Sequence, residues 1–260
     1  MLPRFKDCVA ENFRSFCMSQ IPETTTPLHA TMSASHYPAW FARLPFAPWG
    51  WRELNLYGWP LLFATIGMAL LPFPWCWLAV VPFIFLALVV YFFRDPPRRI
   101  PTAPGSIVSP ADGKVVEIAR LDHDEFIGGP AVRIGIFLSV LNVHVNRAPT
   151  AGRVVELKYR PGQFISATRP EASLHNESMW IGFEDDAGRR FTVRQISGML
   201  ARRIVCMLTA GQGVTCGEKF GMIKLGSRTE LTLPASHVQV DVRLGDTVRA
   251  GCQIIAHWTT

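Results

Sequence analysis

The sequence predicts a mainly antiparallel β domain carried behind an N-terminal hydrophobic helical anchor. Three observations predict it. From residue 100 onward, short β-branched runs alternate with turn signals about every dozen residues. Residues 59–93 contain no Asp, Glu, Lys or Arg. The composition is also lopsided: hydrophobic residues make up 49% of the chain and charged residues 18%, below the ~25% charged that is usual for a soluble globule.

Residues 1–58 are expected to form a weakly ordered extension. The stretch Ile21-Pro22-Glu23-Thr24-Thr25-Thr26-Pro27 is polar, bounded by prolines and without helical or strand period. Met18 and Met32 are internal methionines, so the functional chain could start at Met1, Met18 or Met32, with Met32 favoured. No basic start followed by an apolar run and a small-residue cleavage site is present in residues 1–31.

Residues 59–99 are expected to be membrane-anchor helices with a basic flank. The part from Trp59 stops at Pro72, too short to span untilted, whereas Trp75 to Phe93 can just cross a bilayer core of ~30 Å. A hairpin dipping into one leaflet and turning at Pro72-Phe73-Pro74 fits, and so does a pair of spanning helices. Pro82 is expected to kink the second helix, and Trp51, Trp59, Trp75 and Trp77 suit interfacial depth. An uncharged stretch of this length leaves no face for water, which argues against a buried core pair. Arg94, Arg98 and Arg99 follow at once. They mark the cytoplasmic side and suit anionic headgroups, and Pro96-Pro97 ends the helix.

Residues 100–260 carry the strands. Val115–Ile118 follows the turn Ala111-Asp112-Gly113-Lys114, and Val132–Leu138 is a longer run. Val154–Tyr159, Phe191–Ile196, Glu230–Leu233 and Val238–Val242 alternate as half-buried strands do. Residues 200–208 are the one stretch that reads as a short helix. The run Val242–Ala256 resembles the Gly-Asp-x-Val-x-x-Gly hairpin of lipoyl and biotinyl carrier domains, and Ser109–Val115 resembles its sister strand. The likeness implies a sandwich of that character, without the carrier function, because no lysine occupies a hairpin tip.

Net charge is +6, which favours an anionic partner such as acidic lipid. The basic residues are dispersed and lack an aromatic-interleaved patch, so no nucleic-acid partner is expected. The six cysteines form no C-x-x-C pair, and no Cys/His group has the spacing of a zinc site. They read as free thiols, and no metal is expected.

Chemistry enters at Lys224-Leu225-Gly226-Ser227-Arg228. A Gly-Ser pair is usually a turn. It can also cut itself: the hydroxyl attacks the preceding carbonyl, which glycine leaves sterically open. The resulting ester eliminates to dehydroalanine, and hydrolysis leaves a pyruvoyl group and ammonia.

Gly217 to Arg228 resembles the cleavage region of phosphatidylserine decarboxylase proenzymes, and its Gly-Ser-Arg ending is similar to their short bacterial and archaeal subfamily. Phe92 to Arg98, Tyr159 to Phe164 and His175-Asn176-Glu177 resemble further blocks of that family. The resemblance covers about residues 58–260. It implies self-cleavage between Gly226 and Ser227 and a covalent pyruvoyl cofactor (pyruvate) from Ser227. It further implies decarboxylation of phosphatidylserine to phosphatidylethanolamine through a Schiff base. It places Ser227, His144 and Asp112 in a processing triad, with His144 also the proton donor. Asn176 is a candidate contact for the serine headgroup or, equally, a loop residue capping its own turn. Read without the family, Asp112-Gly113 is a plain turn and His144 a core histidine. Some relatives carry a second histidine where this chain has Leu141, so that histidine's role does not transfer.

The implied partners are membrane phosphatidylserine and the chain's own cleavage products. Chains 1–226 and 227–260 are expected to stay together as a heterodimer, with a higher oligomer left open. The implied location is the inner cell membrane, catalytic domain on the cytoplasmic side. Two rivals remain at this stage: a membrane-tethered lipoyl-like adaptor without activity, and a decarboxylase of an ether-lipid analogue.

Overall fold

The computed structural model describes residues 45–167, 169, 171–199, 203–224 and 226–259. Its first element is a helical hairpin. Helix α1 is Trp51–Ala69, and a 3₁₀ turn at Trp75–Ala79 leads into α2, Val80–Phe92. Leu70 to Pro74 makes the turn between them. Pro82 is the third residue of α2, just past the point where the helical run changes from 3₁₀ to α winding.

Both helices present apolar side chains outward. Phe63 of α1 and Phe85 of α2 are 66% and 56% exposed, and Leu70 and Phe73 of the turn are 80% and 81% exposed. Among the described residues, Trp75–Phe92 is the one helix long and apolar enough to cross a membrane, with mean hydropathy 2.4. This supports membrane association. The two ends of the hairpin are tied together: Ala47 N–H donates to Phe93 O (2.8 Å) and Asp95 N–H to Pro45 O (2.7 Å). Both ends therefore meet the β domain at the same place.

Two expectations about this region change. Helix α1 begins at Trp51, within the stretch expected to be weakly ordered. Tertiary contact folds it, because Trp49 and Leu54 pack with Phe92, Phe93, Val143 and Met222. Residues 1–44 lie outside the described residues. The arginine flank is largely engaged by protein rather than free for headgroups. Arg94 donates to Tyr91 O and Leu141 O (both 2.7 Å), and Arg98 to Asp112 Oδ2 (2.8 Å). Arg99 remains exposed.

The rest is antiparallel β. The large sheet has eight strands in the order β13-β2-β3-β11-β7-β6-β5-β9. Their ranges are β2 Gly113–Asp124, β3 Gly129–Leu138, β5 Gly152–Arg160, β6 Ser178–Glu184, β7 Arg190–Ile196, β9 Gly213–Val214, β11 Ser227–Pro234 and β13 Thr247–Val248. One small sheet joins β1 (Ser106–Val108), β14 (Ile254–Trp258) and β12 (Val238–Val240). The other joins β4 (Val145–Arg147), β10 (Lys219–Ile223) and β8 (Ile204–Cys206). The core lies between them, with Phe183 and Phe191 stacked at 5.0 Å.

The carrier-like segments meet as their likeness implied. Val248 pairs with Gly113 across β13 and β2. Ser109 N–H donates to Gln253 O (2.8 Å), and Gly251 N–H returns a bond to Ser109 O (2.9 Å). The helix expected near 200–208 is corrected: Ile204–Cys206 is strand β8, paired with Gly221–Ile223. Its β-branched Ile204 and Val205 suit an extended edge, and residues 200–202 lie outside the described residues.

Candidate active site

Strand β11 runs through the middle of the large sheet, between β3 and β7, with every residue buried. Ser227 is its first residue and pairs with Leu138. Gly226 precedes it with φ +60°, a left-handed conformation that suits glycine. Strand alternation sends Ser227 and Thr229 to one face and Arg228 and Glu230 to the other. Ser227 is fully buried, and its Oγ has no hydrogen-bond partner among the described residues. A buried hydroxyl without a partner costs about 1–3 kcal/mol, so this one is a candidate for chemistry rather than packing.

His144 precedes β4 and is also fully buried. Its Nδ1 lies 2.9 Å from Asn142 O. A carbonyl only accepts, so Nδ1 carries the hydrogen and Nε2 keeps its lone pair. That Nε2 has no partner among the described residues. Burial pushes the imidazole down from 6.5 to about 4; the Arg94 charge acts the same way, and the bond to Asn142 opposes both. His144 is thus a neutral base at physiological pH. The Asn142 side chain locks the supporting loop, accepting from Ser139 N–H (2.9 Å) and Oγ–H (2.7 Å). Phe92 of the hairpin lies against the ring, centroids 4.5 Å apart.

Two bonds tie the His144 segment to the Ser227 segment. Ile223, at the end of β10, donates its N–H to His144 O (3.2 Å). Asn146 Nδ2 donates to Thr229 Oγ1 (3.0 Å), and Gln195 Nε2 donates to Asn146 Oδ1 (2.9 Å). The second contact joins the residues two positions beyond His144 and beyond Ser227 on their own chains.

Asp112 is buried but does not hold His144. Its Oδ2 receives Arg98 Nη2 (2.8 Å) and its Oδ1 receives Ala250 N–H (2.7 Å). Its turn bonds to β4 instead: Pro110 O accepts from Arg147 N–H (3.0 Å) and Asn146 Nδ2 (3.3 Å). Asn176 is fully buried, and its amide is used within the protein. Oδ1 accepts from Ile165 N–H (2.8 Å), while Nδ2 donates to Ile165 O (2.7 Å) and Ser197 O (2.8 Å).

The family model for phosphatidylserine decarboxylase matches residues 85–256, which takes in all of these positions. The chain belongs to the phosphatidylserine decarboxylase family. It is 44% identical over 223 residues to the phosphatidylserine decarboxylase proenzyme of Rhodopirellula baltica, covering 84% of this chain and 90% of the relative. The proenzyme of Desulfotalea psychrophila is 43% identical over 179 residues, covering 68% and 83%. That of Symbiobacterium thermophilum is 42% identical over 199 residues, covering 76% and 92%.

Within this decarboxylase-family fold, sequence reasoning missed three features beside the site. Lys224 Nζ reaches across to Glu53 Oε1 of α1 (2.6 Å). Arg228 enters a buried ion cluster with Glu117 and with Glu230 Oε1 (2.9 Å), and Ser173 Oγ also donates to that Glu230 oxygen (2.7 Å). Gly198 lies against the carbonyl of Gly226. The Lys224 and Arg228 charges were visible beside the Gly-Ser pair; their partners were not.

Proposed function

We propose that the chain cuts itself between Gly226 and Ser227 and then decarboxylates phosphatidylserine to phosphatidylethanolamine at a membrane surface. The observation that carries this reading is that two buried atoms without hydrogen-bond partners among the described residues, Ser227 Oγ and the basic His144 Nε2, lie on segments bonded to each other two residues further on, at Asn146 and Thr229. The relatives' names, all phosphatidylserine decarboxylase proenzymes, supply the substrate class.

In the cut, His144 Nε2 takes the Ser227 hydroxyl proton as Oγ adds to the Gly226 carbonyl carbon. The C–N bond breaks and the amine takes the proton, leaving an ester. Loss of the Ser227 α-proton releases the Gly226 carboxylate and leaves dehydroalanine. Water then replaces nitrogen, which departs as ammonia. Residues Gly226, Ser227 and His144 fit this route: an αL glycine, a buried free hydroxyl and a neutral base.

The pyruvoyl group so formed would be held at the head of β11 and would act as the electron sink for departing carbon dioxide. An imidazole held at about 4 gives up any proton it accepts readily, so His144 is suited to return one to the substrate carbon. Asp112 supports the site by fixing the turn that is bonded to β4. Asn176 acts through the loop it staples rather than through direct contact with the headgroup.

Beyond its polar first residues, α1 runs over 56–69, about 21 Å at 1.5 Å per residue, short of a ~30 Å bilayer core. Trp51 lies at the hairpin base, while Trp75 and Trp77 lie at its tip. Both hairpin ends are tied at the β domain, and among the described residues Trp75–Phe92 alone is long and apolar enough to span, so the hairpin enters the inner membrane tip first, with the basic base and β domain on the cytoplasmic side. Chains 1–226 and 227–260 remain a heterodimer, because β11 is interior to the large sheet. The tethered-adaptor reading leaves the two unpartnered atoms without a role.

Intact-mass spectrometry of the purified protein under denaturing conditions tests the proposal. The expected result is two chains divided at Gly226/Ser227, the smaller lighter by one ammonia than hydrolysis alone would give. Ser227→Ala should stay whole and inactive. A single uncut wild-type chain in the presence of phosphatidylserine vesicles, with the lipid unchanged, overturns the proposal.

A further inference from the structure

The carbonyl oxygen of Gly226 is the acyl oxygen of the bond that the proposed cleavage breaks. It is seated over the Cα of Gly198, just beyond the end of β7. A methyl group on Gly198 would lie 1.9 Å from that oxygen, 3.0 Å from the Gly226 carbonyl carbon and 3.2 Å from Ala167 Cβ. Ordinary contact begins at 3.4 Å. Alanine at 198 therefore requires a shift of the order of 1 Å, the scale on which misplacement of reacting atoms costs about 10²-fold in rate.

Neither side can retreat easily. Gly198 follows Ser197, which is pinned at three atoms. Ser197 N–H and Oγ–H donate to Glu177 O (2.9 and 3.1 Å), and Ser197 O accepts from Asn176 Nδ2 (2.8 Å). On the other side, Gly226 leads directly into Ser227, which is held in register opposite Leu138. The obstruction is backbone, not the far end of a flexible side chain.

The two glycines beside this carbonyl serve different needs. A Cβ on Gly226 would meet nothing within 4 Å, but its φ of +60° is left-handed. Gly198 has no such φ, so its backbone conformation admits any residue. Space alone demands glycine there.

We propose that Gly198 is a positioning residue of self-cleavage, its bare Cα forming the seat that aims the Gly226 carbonyl carbon at Ser227 Oγ. This rests on the cleavage reading above. Gly198 acts through Gly226 and only before the cut, since afterwards that oxygen belongs to a free chain end.

The test is Gly198→Ala in the full chain, with wild type and Gly129→Ala as controls. A Cβ on Gly129 meets nothing within 4 Å. Intact mass against time reads the cutting rate, and turnover is measured per mole of pyruvoyl formed. The expected result is cutting slowed about 100-fold, wild-type turnover per pyruvoyl, and no change in Gly129→Ala. Should the single variant fail to fold, Gly198→Ala/Ala167→Gly removes the Ala167 contact, leaves the carbonyl contact and gives the same reading. Cutting at the wild-type rate in a folded variant overturns the proposal. So does turnover per pyruvoyl that falls in step with cutting, because a merely structural glycine would lower both. Failure of wild type to cut would instead remove the cleavage reading itself.

Discussion

Lys224 Nζ lies 2.6 Å from Glu53 Oε1, joining the strand that leads into the Gly-Ser pair to the first turn of the apolar hairpin. Both side chains are mostly buried, at 12% and 18% exposure. Burial lowers the Lys224 pKa while Glu53 supports the charge. The hairpin is thus wired to the segment that leads into the proposed cleavage site rather than simply tethering it.

Glu53→Gln should leave Lys224 desolvated without its counter-charge. The expected cost is about 2 kcal/mol of stability, with slower cutting because Lys224 leads into Gly226. Thermal melts and intact mass against time check this. Unchanged cutting in a destabilised variant would confine the pair to a structural role.

The pH dependence follows from His144. With its imidazole held at about 4, the cutting rate should be level from about pH 8 to about pH 5 and fall about tenfold per pH unit below 4. Stability follows the same proton. Between 6.5 and about 4 the unfolded chain binds a proton that the folded chain refuses. Stability is therefore full above 6.5 and falls as pH drops through that window, by at most about 3 kcal/mol. Cutting rates and urea melts across pH measure both, and a rate midpoint near 6.5 would contradict the buried-base assignment.

Arg228 is 3% exposed and pairs with Glu117 and Glu230. Arg228→Ala removes the common partner of two carboxylates, one of them buried, at an expected cost of about 3–5 kcal/mol. Urea denaturation of the Ser227→Ala form, which should stay uncut, isolates this from processing. A loss below about 0.5 kcal/mol would mean that the cluster rearranges around the gap.

The hairpin can be separated into two roles. Deleting 59–93 should release the protein from membranes and also impair cutting, because it removes Phe92 from the His144 ring and Phe93 from the same cluster. Replacing the outward Phe63 and Phe85, 66% and 56% exposed, with serine should weaken membrane binding and leave cutting intact. Sedimentation with membranes and intact mass distinguish the two. Equal loss of cutting in both variants would point to the membrane itself as a requirement.

Local patterns were legible in the sequence. Alternation placed Phe191–Ile196 and Glu230–Leu233 in strands, and the proline pair around Phe73 placed the hairpin turn. The Gly-Ser pair and His144 stood out through the family resemblance of the segments around them; read alone, one was a turn and the other a core histidine. Partners distant along the chain did not. Glu53 and Lys224 are separated by 171 positions, and neither carries a mark of the other. Arg98 read as a headgroup contact because a basic residue after an apolar helix usually is one; its tie to Asp112 depends on how the linker folds back. Alternation in β11 suggested one wet face, but its polar face is buried, since Arg228 and Glu230 neutralise each other there. Gly198 carries no mark in the sequence; its place shows only where the Gly226 carbonyl lies above it.

Under the proposed cleavage, the interior position of β11 changes what kind of object the protein is. Before cleavage, unfolding and refolding are events of one molecule. Afterwards the same unfolding yields two, and β11, β12, β13 and β14 leave on the smaller one. Return becomes a second-order encounter, so the melting midpoint of the mature form depends on its concentration. At the dilution of a cell membrane, the lifetime of the mature enzyme is then governed by how fast an interior strand can escape its two neighbours, a kinetic quantity that the proenzyme never has to meet.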